Sequence, residues 1–269
     1  MVDERPTTLD ELLADIEAEH SDLDAMVDSI DEPDWDRPTP AAGWAVRDQM
    51  SHLAFFDDAA VLAMTDPAAF TALADAAISA ADPMAEHLRR GRASSGTELL
   101  TWWRSSRETM VRAARALSPG ARVPWFGPPM GALSFVSARL METWAHGQDV
   151  ADALGTRRVA TARLRHIAHL GVRTRPFSYA VRGLEPPSTP VHVALTGPAD
   201  EFWEFQERDA TDSISGPALD FCLVVTQRRN VSDTGLVVEG DAATEWMSIA
   251  QAFAGPPGPG RPAGVEKGT

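Results

Sequence analysis

The chain has 269 residues, 44% of them hydrophobic and 23% charged, with a single cysteine, Cys222. That length holds one large or two modest cores. One cysteine excludes an intrachain disulfide and any multi-cysteine metal site, and no apolar run approaches the roughly 20 residues a membrane helix needs. The net charge of −15 is concentrated: residues 1–36 hold 14 acids and one base, and the rest of the chain is close to neutral. The acids read as one solvated face. With no basic stripe to neutralise phosphates, nucleic acid is excluded as a partner. The start, MVDERPTTLDELL, lacks the basic and apolar segments of a signal peptide, which together with the cysteine usage points to the cytoplasm.

In chain order, residues 8–30 read as a helix. Thr8 and Glu11 form a capping box, and Leu9, Leu12, Leu13, Ile16, Leu23, Val27 and Ile30 follow helical spacing. After a Pro-rich turn, a second helix is predicted over 45–65, then two short Ala-rich pieces near 67–80 and 83–91, and a long helix over 97–117. Residues 119–133, with the stretch PWFGPPMG, read as a loop. Ser134 is the expected cap of a helix over 135–153 that ends at Gly155. Residues 1–155 therefore read as an antiparallel four-helix bundle.

Beyond 155 the pattern changes. A helix near 160–173 is followed by strands at Val191–Leu195 and Phe202–Gln206. A helix over Pro217–Gln227, a strand at Leu236–Glu239 and a last helix over Ala242–Ala254 complete a small α+β domain, residues 156–254. The Gly/Pro-rich tail, 255–269, reads as disordered.

One constellation carries chemistry. Glu142 and His146 are spaced i, i+4 on the helix of 135–153, so both lie on one face, with Asp149 a further three residues on. The second helix offers His52, among Leu53, Phe55 and Phe56. If the two helices face each other, His52, Glu142 and His146 make a His-His-carboxylate triad with an open position, the pattern of catalytic zinc. On spacing alone, a surface Glu–His pair and a hydrogen-bonded core histidine are the commoner descriptions.

The run Thr39-Pro40-Ala41-Ala42-Gly43-Trp44, followed by Val46-Arg47-Asp48-Gln49 and His52-Leu53, carries a resemblance. So does the later run Arg139-Leu140-Met141-Glu142-Thr143-Trp144-Ala145-His146-Gly147-Gln148-Asp149. Together they resemble the mycothiol-dependent maleylpyruvate isomerase N-terminal family of the DinB-like four-helix metalloproteins, and most nearly a subgroup of hypothetical metal-binding proteins. The resemblance implies a mostly α chain with a smaller α+β part: a DinB-like bundle, then a small domain loosely similar to sterol-carrier folds. It also implies a divalent metal, zinc foremost, held by His52, Glu142 and His146, with Glu142 where many superfamily members have a third histidine. Asp149 is then an outer partner of His146 or a fourth ligand.

Mycothiol is the implied co-substrate, so the implied partners are a small thiol and a small electrophile. In the second domain, Arg228 or Arg229 matches the position from which the isomerase's arginine holds anionic groups. An arginine favoured by a helix C-terminus is the plainer account of either. Trp125, in the loop entering the ligand-bearing helix, is placed to line a pocket mouth. The function this points to is a zinc-dependent thiol transferase or isomerase. The alternative is a non-catalytic metal-binding protein whose C-terminal domain binds a small molecule or lipid. Zinc-assisted hydrolysis has no dedicated motif here. Among other residues, His20 reads as a satisfied core histidine, His87, His166 and His169 as exposed, and Cys222 as a buried inert thiol.

Overall fold

The computed structural model describes residues 7–79, 85–118, 120–205 and 210–264. The chain divides into two compact units, Met1–Arg157 and Arg158–Thr269.

The first unit is helical. Its elements are α1 (Leu9–Val27), a short 3-10 turn (Glu32–Asp36), α2 (Val46–Thr65), α3 (Pro67–Ser79), α4 (Ala85–Ala93), α5 (Gly96–Arg115), a two-residue hairpin of β1 (Arg122–Val123) and β2 (Met130–Gly131), and α6 (Ala132–Leu154). The four long helices form the bundle: α1 packs on α5 and α6, and α2 packs on the same two. The capping box at α1 is present, with the Thr8 amide donating to Glu11 at 2.9 Å. A core of Leu23, Val27, Trp35, Met50, Leu53, Leu99 and Trp103 fills the space between helices.

Helix α6 departs from expectation. It begins at Ala132, three residues early, because the strand Met130–Gly131 runs straight into it with Gly131 as cap. Ser134 lies exposed in the first turn. Gly155 ends the helix with φ +66°, a left-handed conformation that favours glycine.

The acidic N-terminal segment is not simply solvated. Asp24 takes Arg104 at 2.5 Å and also pairs with Arg107. Glu17 takes Arg115 at 3.2 Å, and Asp36 takes Arg47 at 2.6 Å. Arginines of α2 and α5 therefore pair with part of this acidic face, and Asp24 is the member they cover, while Glu17 and Asp36 stay exposed.

The second unit carries α7 (Leu164–Arg173), α8 (Arg175–Ala180), β3 (Val191–Thr196), β4 (Phe202–Phe205), β5 (Asp212–Pro217), α9 (Ala218–Val225), β6 (Val237–Glu239) and α10 (Asp241–Ile249). The sheet order is β4-β3-β5-β6, with β3 and β5 parallel and the outer pairs antiparallel. Two of these elements are additions to the sequence reading. Helix α8 starts at Arg175-Pro176, where proline costs no hydrogen bond. Strand β5 hides in the sequence because its buried Asp212 breaks the apolar alternation; its carboxylate accepts from the Ala242 amide at 2.8 Å and starts α10.

Helix α10 stops at Ile249, short of Ala254, because the Gln251 amide is taken by Ser178 Oγ at 2.9 Å. Residues 255–264, which composition reads as disordered, are held down. Arg261 O accepts from Asn230 at 2.9 Å, and the Gly264 amide donates to Asp233 at 3.0 Å. Residues 265–269 lie outside the described residues.

Candidate metal centre

Helices α2 and α6 meet along a seam that is polar where a bundle core is ordinarily apolar. From α2 it receives Gln49, His52 and Asp57, and from α6 Arg139, Glu142 and His146. One ligand atom from each of His52, Glu142 and His146 lies within 4.8 Å of the other two. The expected triad is thus brought together, and among the described residues it is the group that converges in this way. A tetrahedral zinc separates its ligand atoms by about 3.4 Å, so the set closes on an ion with small side-chain movements.

The chemistry of the donors fits a cation. His146 Nε2 sits 3.2 Å from Glu142 Oε2. His52 Nδ1 is buried with no hydrogen-bond partner among the described residues. Burial, then the neighbouring His146, pushes the His52 imidazole well below the usual histidine range, against the pull of Glu142. Neutral imidazole is the form that binds a metal.

Aromatic rings wall the site. Trp44 stacks on His146 with centroids 6.0 Å apart and planes at 18°, and it lies 5.2 Å from His52. Phe56, one turn along α2, is 4.5 Å from the His52 ring. It leads on to Phe126 at 5.6 Å and Trp125 at 6.2 Å. Trp125 is half-buried and stacks flat on Phe70 at 5.6 Å. The Pro/Gly-rich loop therefore sends its aromatics inward, one ring removed from His52.

The fourth side of the His52 ring corrects an expectation. His87, on α4, is 1% exposed, not solvated; it stacks on Phe55 at 4.8 Å and meets His52 edge-on at 5.5 Å. Its two flanking arginines turn away, Arg90 over Trp102 at 3.6 Å and Arg89 to Glu86.

Beneath the triad, Arg139 donates to Asp57 at 2.9 Å with both side chains at most 3% exposed. Burial raises the Asp57 carboxyl above its usual range, and Arg139 opposes that. The pair ties α2 to α6 one turn from His52 and Glu142.

Asp149 is buried at 1% exposure and lies outside the converging set. The partner of His146 Nδ1 is Gln49, at 2.5 Å. Sequence reasoning gave Gln49 no role; its only local signal is that it lies three residues before His52, on the same helical face. His20 lies beside Trp103, with Nε2 buried and unpartnered among the described residues, so it is not the satisfied core histidine expected.

In the second unit, Arg228 donates to the Thr226 carbonyl and Arg229 to the Arg228 carbonyl, each at 2.7 Å. Cys222 is fully buried, and burial pushes its thiol far up, as an inert thiol requires. No helix among the described residues is long and apolar enough to cross a membrane.

Fold and site together define a four-helix protein with a His-His-carboxylate seam and an appended α+β unit. The sequence profile of the mycothiol maleylpyruvate isomerase N-terminal domain matches residues 16–151. The chain is 48% identical over 252 residues to the uncharacterized proteins Rv0036c and MT0041 of two Mycobacterium tuberculosis strains, spanning 93% of this chain and 97% of theirs. The fold is that of the crystal structure of the mycothiol-dependent maleylpyruvate isomerase, with TM-score 0.60 and 15% identity over 87% of this chain and 93% of that one. A histidine-to-alanine mutant of that enzyme matches with TM-score 0.57, also at 15% identity, over 82% of this chain and 90% of its own. The chain belongs to the mycothiol maleylpyruvate isomerase N-terminal family.

Proposed function

We propose that the protein is a metal-dependent thiol isomerase or S-transferase in which His52, Glu142 and His146 hold a divalent cation, zinc foremost. The observation that carries this reading is the convergence of three ligand atoms within 4.8 Å on two facing helices. A zinc ion bound by three protein ligands keeps a position open for an incoming group and lowers the pKa of a thiol that takes it. The thiol is mycothiol, the co-substrate in the name of the family's isomerase.

The residues divide the work. His52 and His146 supply neutral nitrogens and Glu142 a negative charge, which leaves the site with a net positive charge once loaded and so favours thiolate. Trp44 and Phe56 exclude water around the sulfur, and Trp125 extends that wall. For the second unit, the proposal is that Arg228 or Arg229 binds an anionic group.

The chemistry balances without a further reactant. The thiolate sulfur forms a bond to one carbon of an activated double bond, whose electron pair moves onto the conjugated carbonyl. In an isomerase the resulting single bond rotates, the electron pair returns, and the C–S bond breaks to give back the thiolate. In a transferase the adduct carbon takes the thiol's proton and the adduct is the product.

The test is elemental analysis of the purified protein, then titration of the cobalt-substituted form with mycothiol. About one metal per chain and a new thiolate-to-cobalt charge-transfer band support the reading. Metal without any thiol response overturns the thiol step and favours a non-catalytic metal-binding protein. No metal, or undiminished metal in both His52→Ala and His146→Ala, overturns the assignment of the site.

A further inference from the structure

A chain of three hydrogen bonds runs from a backbone carbonyl to a candidate ligand, and the donors along it give it one direction. The Trp44 carbonyl can only accept. The Thr39 hydroxyl donates to it at 2.9 Å. The same oxygen accepts from Gln49 Nε2 at 2.9 Å. That leaves Gln49 Oε1 facing His146 Nδ1 at 2.5 Å. An amide oxygen can only accept, so Nδ1 carries the hydrogen. In neutral imidazole Nε2 then carries no hydrogen, and with Glu142 Oε2 3.2 Å away two acceptors face each other, an arrangement that a shared cation relieves.

The surroundings hold this polarity in place. Gln49 is 0% exposed, and Thr39 and His146 are each 9% exposed, so bulk water is shut out from the amide as a substitute partner. The Thr39 backbone amide also donates to the Trp44 carbonyl, at 2.7 Å, which fixes the anchor itself. Gly43 stands immediately before Trp44 at φ +77°, and this left-handed turn brings the carbonyl back to Thr39. The Trp44 ring then stacks on the histidine that its carbonyl controls.

We propose that Gln49, oriented by Thr39, is a positioning residue that locks His146 in its Nδ1–H tautomer and so reserves Nε2 for a cation. Without that lock, a neutral imidazole is free to place its hydrogen on Nε2 and donate it to Glu142, which removes both groups as ligands. The inference rests on the metal reading above only in its last clause; the tautomer is a property of the metal-free chain. Outer hydrogen bonds of this kind act on metal affinity by about 10–100-fold.

The test reads the tautomer directly. Two-bond proton–nitrogen correlation spectra of the 15N-labelled, metal-free protein, taken above the histidine titration range, assign which His146 nitrogen carries the hydrogen. The expected result is Nδ1–H in the unmodified chain and in Gln49→Glu, whose carboxylate also only accepts, and a population of Nε2–H in Gln49→Leu and Thr39→Val. Cobalt affinity follows the same order, falling about 10–100-fold in Gln49→Leu and held in Gln49→Glu.

An Nε2–H tautomer in the unmodified chain overturns the proposal, as does unchanged Nδ1–H in folded Thr39→Val and Gln49→Leu. Should Gln49→Leu fail to fold, Thr39→Val and Gln49→Glu still decide the question. A locked tautomer in a chain that binds no cobalt at all overturns the metal reading and leaves the lock standing.

Discussion

In the second unit, Asp212 is buried because it accepts from the Ala242 and Ala243 amides, and Thr226 because its hydroxyl donates to the Cys222 carbonyl. Ser178 and Gln251 are buried around one shared junction. These are side chains satisfying backbone at the ends of elements. In the first unit Ser51 and Thr143 likewise donate to backbone, but two other buried polar contacts do something else. Asp57 reaches Arg139 across 82 residues of chain, and Gln49 reaches His146 across 97. They join side chains on different helices and leave Asp57 Oδ2 and His52 Nδ1 buried without a hydrogen-bond partner among the described residues, as Trp246 Nε1 is in the second unit, but here the unpaired atoms lie together at one seam. Local polar burial finishes a fold. Polar burial that crosses helices and leaves atoms unsatisfied costs stability and is retained where a site needs it.

The comparison breaks first at Arg139. Arg139→Met strands a buried carboxylate and is expected to cost about 3–5 kcal/mol by urea unfolding, whereas Arg139→Met with Asp57→Leu recovers most of it. A cost under 1 kcal/mol for the single change ends the distinction between the two kinds of burial.

His20 sharpens it through pH. Burial first, then Arg107 and Arg139, pushes its pKa from 6.5 down to about 3. Between those values the unfolded chain takes a proton that the folded chain refuses. Its contribution is therefore fully present above the unfolded pKa and is lost as pH falls toward the folded one, at up to about 1.4 kcal/mol per pH unit. His20→Leu is expected to flatten the acid limb of the stability profile by that slope. An unaltered limb refutes the assignment.

Smaller effects fall to the local devices. Asp212→Ala removes the acceptor at the start of α10 and is expected to cost about 1–2 kcal/mol by chemical denaturation. Thr8→Ala, a local device in the first unit, is expected to cost about 0.5–1 kcal/mol, since its capping box is exposed. A loss at Thr8 as large as that at Arg139 places the distinction in the unit and not in the kind of contact.

What the sequence makes legible follows from how far each signal reaches. The start of α1 is written within four residues, and the pairing of Glu142 with His146 within one helical turn. His52 is recoverable because the motif around it carries a family resemblance. Gln49 is not, since a glutamine in a helix acquires its meaning only when His146 arrives from far down the chain. His87 is misread for a related reason. Arg89 and Arg90 beside it suggest solvent, yet Arg90 covers Trp102 and the histidine packs on Phe55 and His52. Asp24 of α1 looks solvated until Arg104 and Arg107 of α5 are laid against it. Strand β5 is hidden by a single buried aspartate whose partner is a helix not yet formed.

The placement of α1 has a consequence for how the chain is made. Leu12, Leu13, Ile16 and Leu23 are buried in the finished bundle, where α1 lies on α5 and α6. Helix α6 begins at Ala132, roughly a hundred residues after α1 ends at Val27. At ribosomal speeds of about 5–20 residues per second, that interval is on the order of ten seconds. For that time the apolar stripe of the first helix leaves the ribosome without its last neighbour. The first helix made is completed by the last one of its unit, and a nascent chain cut short before α6 presents that stripe to chaperones.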